Sequence, residues 1–214
     1  MKILLTGATG FIGKVLVSEL IRQDFDLSIA VRQKTKLFPD KVRQFVVGNF
    51  ENNPDFSDIL VNVDCVIHLA GKAHNTDKNK ASILDEYRKM NTELTLNLAK
   101  QAVTVGVKKF IFLSSIRVNG NQNTHPFLEI DTPDPQEPYA ISKHEAEQGL
   151  LKLAENSILK VVIIRSPLVY GKDAPGNFGR LIQWAGAKIM IPLPLGAVNN
   201  ARSLIAIDNL VSFI

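Results

Sequence analysis

Short apolar segments rich in β-branched residues recur along the chain, and most are separated by longer segments with helical periodicity. Continuous apolar runs are typical of strands covered on both faces, so the alternation predicts an α/β fold with a Rossmann-like, doubly wound parallel sheet. The predicted strands lie near residues 2–6, 27–31, 43–47, 64–69, 108–113 and 159–165. The predicted helices lie near residues 12–23, 84–105, 138–155 and 177–187.

Two segments interrupt this alternation. Residues 117–137 carry three prolines among many Asn and Asp residues, which predicts a long loop. The chain after residue 170 is again rich in Gly, Pro and Asn, and it stops just after a strand-like run and a helix start. We therefore expect a Rossmann domain over 1–170 and the start of a small second region over 171–214, truncated at its C-terminus.

Composition narrows the class of protein. The chain has 45% hydrophobic and 21% charged residues, as soluble globular proteins do, and its 214 residues suit one full domain. No apolar run approaches the roughly 18–20 residues of a membrane span, and the N-terminus does not resemble a secretory signal. We expect a cytoplasmic protein. The net charge of +4 is scattered rather than clustered, which argues against nucleic-acid binding and suits small anionic ligands.

Cysteine and histidine residues do not predict a metal site. Cys65 is the single cysteine and lies in an apolar run, so a buried thiol is expected. His68 is interpreted as a strand residue and His74 as a loop residue, because neither has a partner at ligand spacing. His144 is expected to face solvent.

A glycine-rich segment, TGATGFIG at residues 6–13, joins the first predicted strand to the first predicted helix. In this context Gly7 permits a tight turn, Gly10 lets the backbone approach a pyrophosphate, and Gly13 lets the helix pack on the strand. The helix N-terminus would present free N–H groups to the phosphates. A plain turn is the alternative, but the position of the segment favours dinucleotide binding.

The end of the second predicted strand bears on the choice of cofactor. NAD-binding proteins usually place an acidic residue there, whereas this chain has Arg32. Arg32 could pair with a 2′-phosphate, so the cofactor is expected to be NAD or NADP, with NADP slightly favoured. The alternative for Arg32 is a solvated basic loop.

Tyr139 and Lys143 are four residues apart in a helix that begins at Pro138. They share a stripe with Ala146 and Leu150, so both side chains are expected to point into the protein, where an unpaired lysine would be costly. The alternative is a surface ion pair between Lys143 and Glu147, in the less favourable order for a helix.

An ammonium beside a phenol favours the phenolate and lowers the phenol pKa. Lowering the phenol pKa from about 10 to about 7 would take roughly 4 kcal/mol. The ammonium and an oxidised nicotinamide ring together could supply this stabilisation. Such a phenol could exchange a proton with a substrate hydroxyl. Ser114 and Ser115 stand immediately after the predicted strand that ends in FIFL, at the carboxyl end where ligands bind in this architecture, although either alone would more often be a cap.

Together these motifs resemble the extended short-chain dehydrogenase/reductases, and most of all the nucleotide-sugar epimerases and reductases of bacterial surface-polysaccharide synthesis. The resemblance covers essentially the whole chain and includes HLAG at 68–71, SSIRVNG at 114–120, YAISK at 139–143 and RSPLVYG at 165–171. It implies that Ser115 is the catalytic serine, Tyr139 the acid/base, and Lys143 the residue that binds the nicotinamide ribose and tunes the tyrosine. The implied cofactor contacts are Gly7, Gly10, Phe11, Ile12, Gly13, Arg32, Asn49, Phe50, Leu69, Ala70, Gly71, Asn91, Tyr139, Lys143 and Pro167.

The same resemblance implies a nucleotide-sugar substrate that contacts Ser115, Asn177 and Arg202; the alternative for Arg202 is a surface loop charge. Ile116 and Arg117 stand where the dehydratases of the family carry Asp and Glu, which disfavours 4,6-dehydration. Asn119 replaces a common Tyr and Asn49 a frequent Asp, so the fine specificity stays open.

The resemblance therefore predicts an NAD(P)-dependent nucleotide-sugar 4-epimerase acting by transient oxidation at C4. It implies that the domain over 1–170 binds NAD(P) and that the region over 171–214 is part of the substrate-binding region. An NADPH-dependent 4-ketoreductase and an epimerase of a polyprenyl-diphosphate-linked sugar are alternatives within the family. A non-catalytic nicotinamide sensor is an alternative from another class, which has no need for the set of Ser115, Tyr139 and Lys143. A homodimer is also left open.

Overall fold

The computed structural model describes residues 1–73, 80–175, 179 and 201–214. Within these residues, six parallel strands form one sheet in the order β3-β2-β1-β4-β5-β6. The predicted α/β class and doubly wound sheet are therefore confirmed. The strands are β1 (Lys2–Thr6), β2 (Asp26–Val31), β3 (Arg43–Val46), β4 (Cys65–His68), β5 (Lys109–Ser115) and β6 (Lys160–Ser166).

Helices connect these strands, and one of them departs from the prediction. The single helix expected near 84–105 is two α-helices joined by a π-helical turn, Arg88–Glu93. The helix expected near 177–187 lies outside the described residues, apart from residue 179. The described α-helices are α1 (Phe11–Arg22), α2 (Ser57–Leu60), α3 (Lys80–Tyr87), α4 (Leu94–Thr104), α5 (Pro138–Glu155) and α6 (Ile207–Phe213).

Two apolar clusters cover the two faces of the sheet, as the continuous apolar strands require. On one face Leu98 and Leu150, from α4 and α5, join the cluster of Phe110. On the other face Leu16 of α1 and Leu210 of α6 join the second cluster. Cys65 is buried in that second cluster, as predicted. Among the described residues, no helix is long and apolar enough to span a bilayer.

The strand register brings the carboxyl ends of the strands to one edge of the sheet. Thr6 lies opposite His68, and Ser115 lies opposite Ser166. Strand order turns back between β1 and β4, which is where doubly wound sheets bind their ligands. This edge therefore carries the residues that the sequence analysis singled out.

The first interrupting segment contains little regular structure, whereas the described part of the second ends in a short strand and α6. A 3₁₀ turn, Ile116–Val118, follows β5, and the chain then runs without a regular element to the start of α5, as predicted. After β6, the short strands β7 (Leu168–Tyr170) and β8 (Leu204–Ala206) form a separate parallel pair. The division at residue 170 stays a prediction.

Candidate active site

The glycine turn lies between β1 and α1 and is shaped by close backbone contacts. Gly7 has a positive φ of 74°, and a Cβ built on it would lie 2.6 Å from the backbone nitrogen of Ala70. A Cβ on Gly13 would lie 2.1 Å from the carbonyl oxygen of Gly7, so α1 packs directly on the turn. Only glycine fits at these two positions without moving the main chain.

The N-terminus of α1 is open to a ligand. Gly10 caps the helix with its backbone only, and the first turn, which begins at Phe11 and Ile12, carries no acidic side chain. A Cβ on Gly10 would meet a single atom within 4 Å, the carbonyl oxygen of Gly7 at 3.2 Å. Uncapped N–H groups and the positive end of the helix dipole suit a pyrophosphate, so the residues present fit a dinucleotide.

The other implied cofactor contacts lie near the same edge of the sheet, with different degrees of exposure. Arg32 is exposed directly after β2. Asn49 caps a 3₁₀ turn, Phe50–Asn52, because its Oδ1 accepts from the backbone N–H of Glu51 at 3.1 Å. Phe50 is buried in the core against Phe56, with ring centroids 6.4 Å apart.

A second group of implied contacts follows β4 and β6. Ala70 is buried and Leu69 half-buried, whereas Gly71 is exposed. A Cβ on Gly71 would lie 3.3 Å from Nζ of Lys143, so the HLAG segment runs alongside the lysine. Pro167 is half-buried directly after β6. The cofactor roles of these residues remain predictions.

Ser114 and Ser115 are the last two residues of β5 rather than residues beyond it, which corrects their predicted position. Side chains alternate across a strand, and the two hydroxyls accordingly have different partners. The hydroxyl of Ser115 lies near enough to Tyr139 to influence the pKa of its phenol, and its Oγ accepts from the backbone N–H of Arg117 at 3.3 Å. Ser114 instead donates to the carboxylate of Glu147.

Tyr139 lies in the first turn of α5, and its ring packs edge-on against that of Tyr87 at 5.8 Å. Burial raises the pKa of Tyr139, and the Ser115 hydroxyl and the charge of Arg117 only partly oppose this effect. A lowered pKa was expected from the sequence. The side chains present do not produce it, because desolvation of the phenolate outweighs them. The contribution assigned to an oxidised nicotinamide stays a prediction.

Lys143 points inward, as its helical stripe predicted, and only 5% of its surface is exposed. Its Nζ donates to the carbonyl oxygen of Leu113 at 2.9 Å and lies 4.5 Å from the centre of the Phe112 ring. Burial lowers its pKa to about 8, and the carboxylate of Glu147 partly opposes this shift. The ammonium is thus held between β5 and α5, one helical turn beyond Tyr139.

Asn91 lies in the π-helical turn and is completely buried. Its Oδ1 accepts from the backbone N–H of Lys72 at 2.8 Å, and its Nδ2 donates to the Lys72 carbonyl at 3.1 Å and to Ser142 Oγ at 3.0 Å. These bonds tie the segment after β4 to α5. Wide helical turns of this kind are frequent at functional sites, and nothing in the apolar periodicity signalled it.

A buried chain of hydrogen bonds, which was not predicted from the sequence, passes through His68. Oγ1 of Thr95 donates to the carbonyl of Asn91, so it accepts from His68 Nε2 at 3.0 Å. Because a neutral ring with its proton on Nε2 leaves Nδ1 as an acceptor, Oγ1 of Thr6 donates to His68 Nδ1 at 2.7 Å, and it accepts from the backbone N–H of Ala70. His68 is therefore neutral and protonated on Nε2. Burial and the charge of Lys143 lower its pKa to about 3.

The buried position of Glu147 was also not predicted, because the sequence analysis considered this residue only as a surface partner of Lys143. The structure contradicts that alternative: Glu147 is 1% exposed and faces the interior. Its carboxylate binds Arg165 of β6 at 2.6 Å. His144 was expected to face solvent, but its side chain is 21% exposed and its Nδ1 lies 3.9 Å from Glu147. The spacing of residues 139, 143 and 147 could have indicated the inward position of Glu147, because residues four apart lie on the same face of a helix.

The implied substrate contacts are less well defined. Arg202 is exposed just before β8, and Asn177 lies outside the described residues. In the part of the chain that the structure describes, no cluster of three or more His, Cys, Asp or Glu side chains could hold a metal ion.

Comparison with known proteins identifies the family. The model of the NAD dependent epimerase/dehydratase family matches residues 3–214. The chain belongs to this family. Its members include proteins of the type that the sequence motifs resembled, which confirms that resemblance.

Two curated relatives and one solved structure illustrate the likeness within the epimerase/dehydratase family. The chain is 44% identical to UDP-glucose 4-epimerase of Vibrio cholerae over 99% of its own length and 65% of that protein's. It is 31% identical to N-acetyl-alpha-D-glucosaminyl-diphospho-ditrans,octacis-undecaprenol 4-epimerase of Escherichia coli O157:H7, over 99% of its length and 61% of the relative's. The structure of MoeE5 in complex with UDP-glucuronic acid and NAD superposes with a TM-score of 0.80 at 28% identity, covering 99% of this chain and 70% of MoeE5.

Proposed function

We propose that the protein is a nucleotide-sugar 4-epimerase that uses an NAD-type cofactor. The observation that carries the proposal is the grouping of Ser115, Tyr139 and the buried ammonium of Lys143 at the ligand-binding edge of the sheet, where the Ser115 hydroxyl opposes the burial that raises the pKa of the Tyr139 phenol. The likeness to a UDP-glucose 4-epimerase supports it, although the chain spans 65% of that relative's length.

The proposed cofactor site begins at the glycine turn. The pyrophosphate would bind the open N-terminus of α1, contacting Gly10, Phe11 and Ile12, because uncapped N–H groups there need acceptors. Gly71 and Lys143 lie side by side and would flank the nicotinamide ribose. When bound, the nicotinamide supplies reversible acceptance of a hydride. MoeE5, a structural neighbour, binds NAD, which supports an NAD-type cofactor.

In the proposed mechanism the three polar side chains handle the proton. Ser115 orients the C4 hydroxyl of the sugar, and Tyr139, as phenolate, takes the hydroxyl proton while the C4 hydride leaves. The ammonium of Lys143 stabilises the phenolate. The resulting 4-ketone presents its other face, hydride returns to C4, and Tyr139 gives the proton back to the oxygen. No cofactor is consumed, because the hydride and the proton that leave the sugar both return to it.

Arg32 bears on the finer choice between NAD and NADP. Its exposed position directly after β2 supports contact with a 2′-phosphate. We propose that Arg32→Ala weakens NADP binding at least 10-fold more than NAD binding, since only NADP offers the partner charge. Equal effects on the two dissociation constants, measured by fluorescence titration, would remove Arg32 from the ribose site.

The sugar carrier has a second candidate. The likeness to the Escherichia coli undecaprenol-linked epimerase favours a polyprenyl-diphosphate-linked sugar. Both carriers end in a diphosphate, and an arginine binds a diphosphate well, so the exposed Arg202 is a proposed contact in either case. Asn177 is the second proposed substrate contact. Comparing the two carriers directly decides which one the site accepts.

The test of the proposal is sugar interconversion by the complete protein. UDP-glucose, UDP-N-acetylglucosamine and the undecaprenyl-diphosphate-linked sugar are each incubated with NAD, and products are separated by chromatography. The 4-epimer should form without net change in reduced cofactor. Stoichiometric loss of NADPH with a 4-keto sugar nucleotide would instead establish a reductase. Cofactor binding without either reaction would favour the sensor hypothesis.

A further inference from the structure

Glu147 is a buried carboxylate that the proposed mechanism leaves without a task. It lies one helical turn beyond Lys143 and two beyond Tyr139 on α5, and 1% of its surface is exposed. A charged group so deeply buried is rare unless it is paired and hydrogen-bonded. Its partners therefore show what the burial achieves.

The partners of Glu147 come from two neighbouring strands. Arg165 of β6 reaches Oε2 with Nε at 3.1 Å and Nη2 at 2.6 Å, and the hydroxyl of Ser114 of β5 donates to Oε1. Arg165 also donates from Nη1 to Oδ1 of Asn119 at 3.1 Å. His144 on α5 is the other titratable group nearby, at 3.9 Å.

These bonds enclose Ser115 on both sides along the chain. Ser114 precedes it directly, and Asn119 follows the 3₁₀ turn that starts after it. The register also pairs Ser114 with Arg165 and Ser115 with Ser166. Glu147 thus connects α5, which carries Tyr139, to the segment that carries Ser115.

The carboxylate also faces two cations. Arg165, which is half-buried, binds it directly, and the buried Lys143 lies one helical turn before it on α5. The attraction of Glu147 partly offsets the desolvation of the Lys143 ammonium. The other groups facing Lys143 are the Leu113 carbonyl, the Phe112 ring and neutral His68. Among the groups around Lys143 in the described part of the chain, Glu147 is the one that carries negative charge.

We propose that Glu147 is a positioning residue of this site: through Ser114, Arg165 and Asn119 it fixes Ser115 relative to Tyr139, and its charge keeps the Lys143 ammonium beside them. This inference rests on the proposed function for its effect on turnover. Buried ion pairs add little to stability compared with apolar residues of similar size, so a structural role alone does not account for the arrangement.

The test uses four variants of the complete protein. Glu147→Gln keeps the shape and removes the charge, and Glu147→Asp keeps the charge with a shorter side chain. The double variant Glu147→Leu/Arg165→Met replaces the pair by apolar groups and guards against misfolding. Glu145→Gln, a partly buried glutamate on the same helix that pairs with Arg88, is the matched control.

Two readouts separate positioning from folding. With the substrate that the wild type converts, Glu147→Gln and the double variant should lower kcat on the order of 100-fold with little change in the KM for NAD, because the reacting groups are misaligned. Glu147→Asp should recover part of kcat, and Glu145→Gln should match wild type. Thermal unfolding checks that the double variant is folded.

The second readout needs no turnover. The carbon beside the Lys143 ammonium, labelled with ¹³C, is titrated by NMR, and Glu147→Gln should move its midpoint to lower pH while Glu145→Gln leaves it in place. Wild-type kcat in a folded double variant, or an unmoved Lys143 titration in Glu147→Gln, would overturn the inference. Lack of turnover in the wild type would instead refute the proposed function, and the Lys143 titration would then decide the role of Glu147 by itself.

Discussion

Replacing Lys143 by methionine separates the cost of burying an ammonium from its use in the site. The lysine is 5% exposed, and burial lowers its pKa from 10.5 to about 8. Methionine has a similar length and no charge. In the proposed mechanism Lys143 stabilises the phenolate of Tyr139, so the variant should lose turnover, while its stability acquires a different pH dependence.

The sign and size of this effect follow from the shift. A lysine whose pKa is lower in the folded protein binds fewer protons there than in the unfolded chain, so it lowers stability. This loss of stability is fully present below the folded pKa of about 8, where the lysine is charged in both states. It vanishes above the unfolded pKa of 10.5. A shift of this size corresponds to roughly 3 kcal/mol, of which about 2 kcal/mol is regained by the wild type between pH 7 and pH 9.5.

The stability that the variant gains at pH 7 by lacking the buried charge is partly offset. Methionine cannot donate to the Leu113 carbonyl, and leaving a buried acceptor unpaired costs about 1–3 kcal/mol at any pH. The absolute stability of the variant at pH 7 is therefore close to or slightly above that of the wild type. The difference between the two proteins across pH is the informative quantity.

The assay is urea unfolding of both proteins, without added nucleotide, at several values between pH 7 and pH 9.5. The free energy of unfolding of Lys143→Met minus that of wild type should fall by about 2 kcal/mol over this range. Lys152→Met, which removes an exposed lysine from the same helix, is the control and should give a flat difference. A flat difference for Lys143→Met as well would refute the burial argument.

Three further predictions concern the surrounding structure. Gly13→Ala should lower the free energy of unfolding by about 1–3 kcal/mol or more in the same urea assay, because its Cβ would lie 2.1 Å from the carbonyl oxygen of Gly7. Gly10→Ala is the control and should lower it less, because its Cβ would lie 3.2 Å from that oxygen. His68 should stay neutral and protonated on Nε2 down to about pH 4 by ¹⁵N NMR, whereas titration near pH 6.5 would contradict the hydrogen-bond chain. Cys65, whose pKa burial raises to about 11, should react with iodoacetamide only after unfolding, and rapid native labelling would contradict its burial.

Local patterns predicted most of the fold. Apolar runs located all six strands of the main sheet to within two residues at each end, because each strand is buried between two helical layers and carries a strong signal. The glycine turn and the inward stripe of Tyr139 and Lys143 were also predicted, since both depend on residues within a few positions of each other.

Features that depend on distant partners could not be predicted in this way. The bonds that hold Glu147 reach 33 residues back to Ser114 and 18 residues on to Arg165. The π-helical turn at Asn91 is accompanied by bonds from Asn91 to Lys72 and Ser142, which lie 19 and 51 residues away in the sequence. The raised pKa of Tyr139 depends on how much protein covers the phenol, which spacing does not reveal.

Retention of a C4 label tests the central claim most directly. The complete protein is incubated with NAD and a UDP-hexose carrying deuterium at C4, and the product is analysed by mass spectrometry and NMR. Transient oxidation with Tyr139 as the acid/base predicts a 4-epimer that keeps its deuterium, no net reduced cofactor, and no product from Tyr139→Phe. Loss of deuterium to the solvent, or undiminished turnover in Tyr139→Phe, would contradict this mechanism.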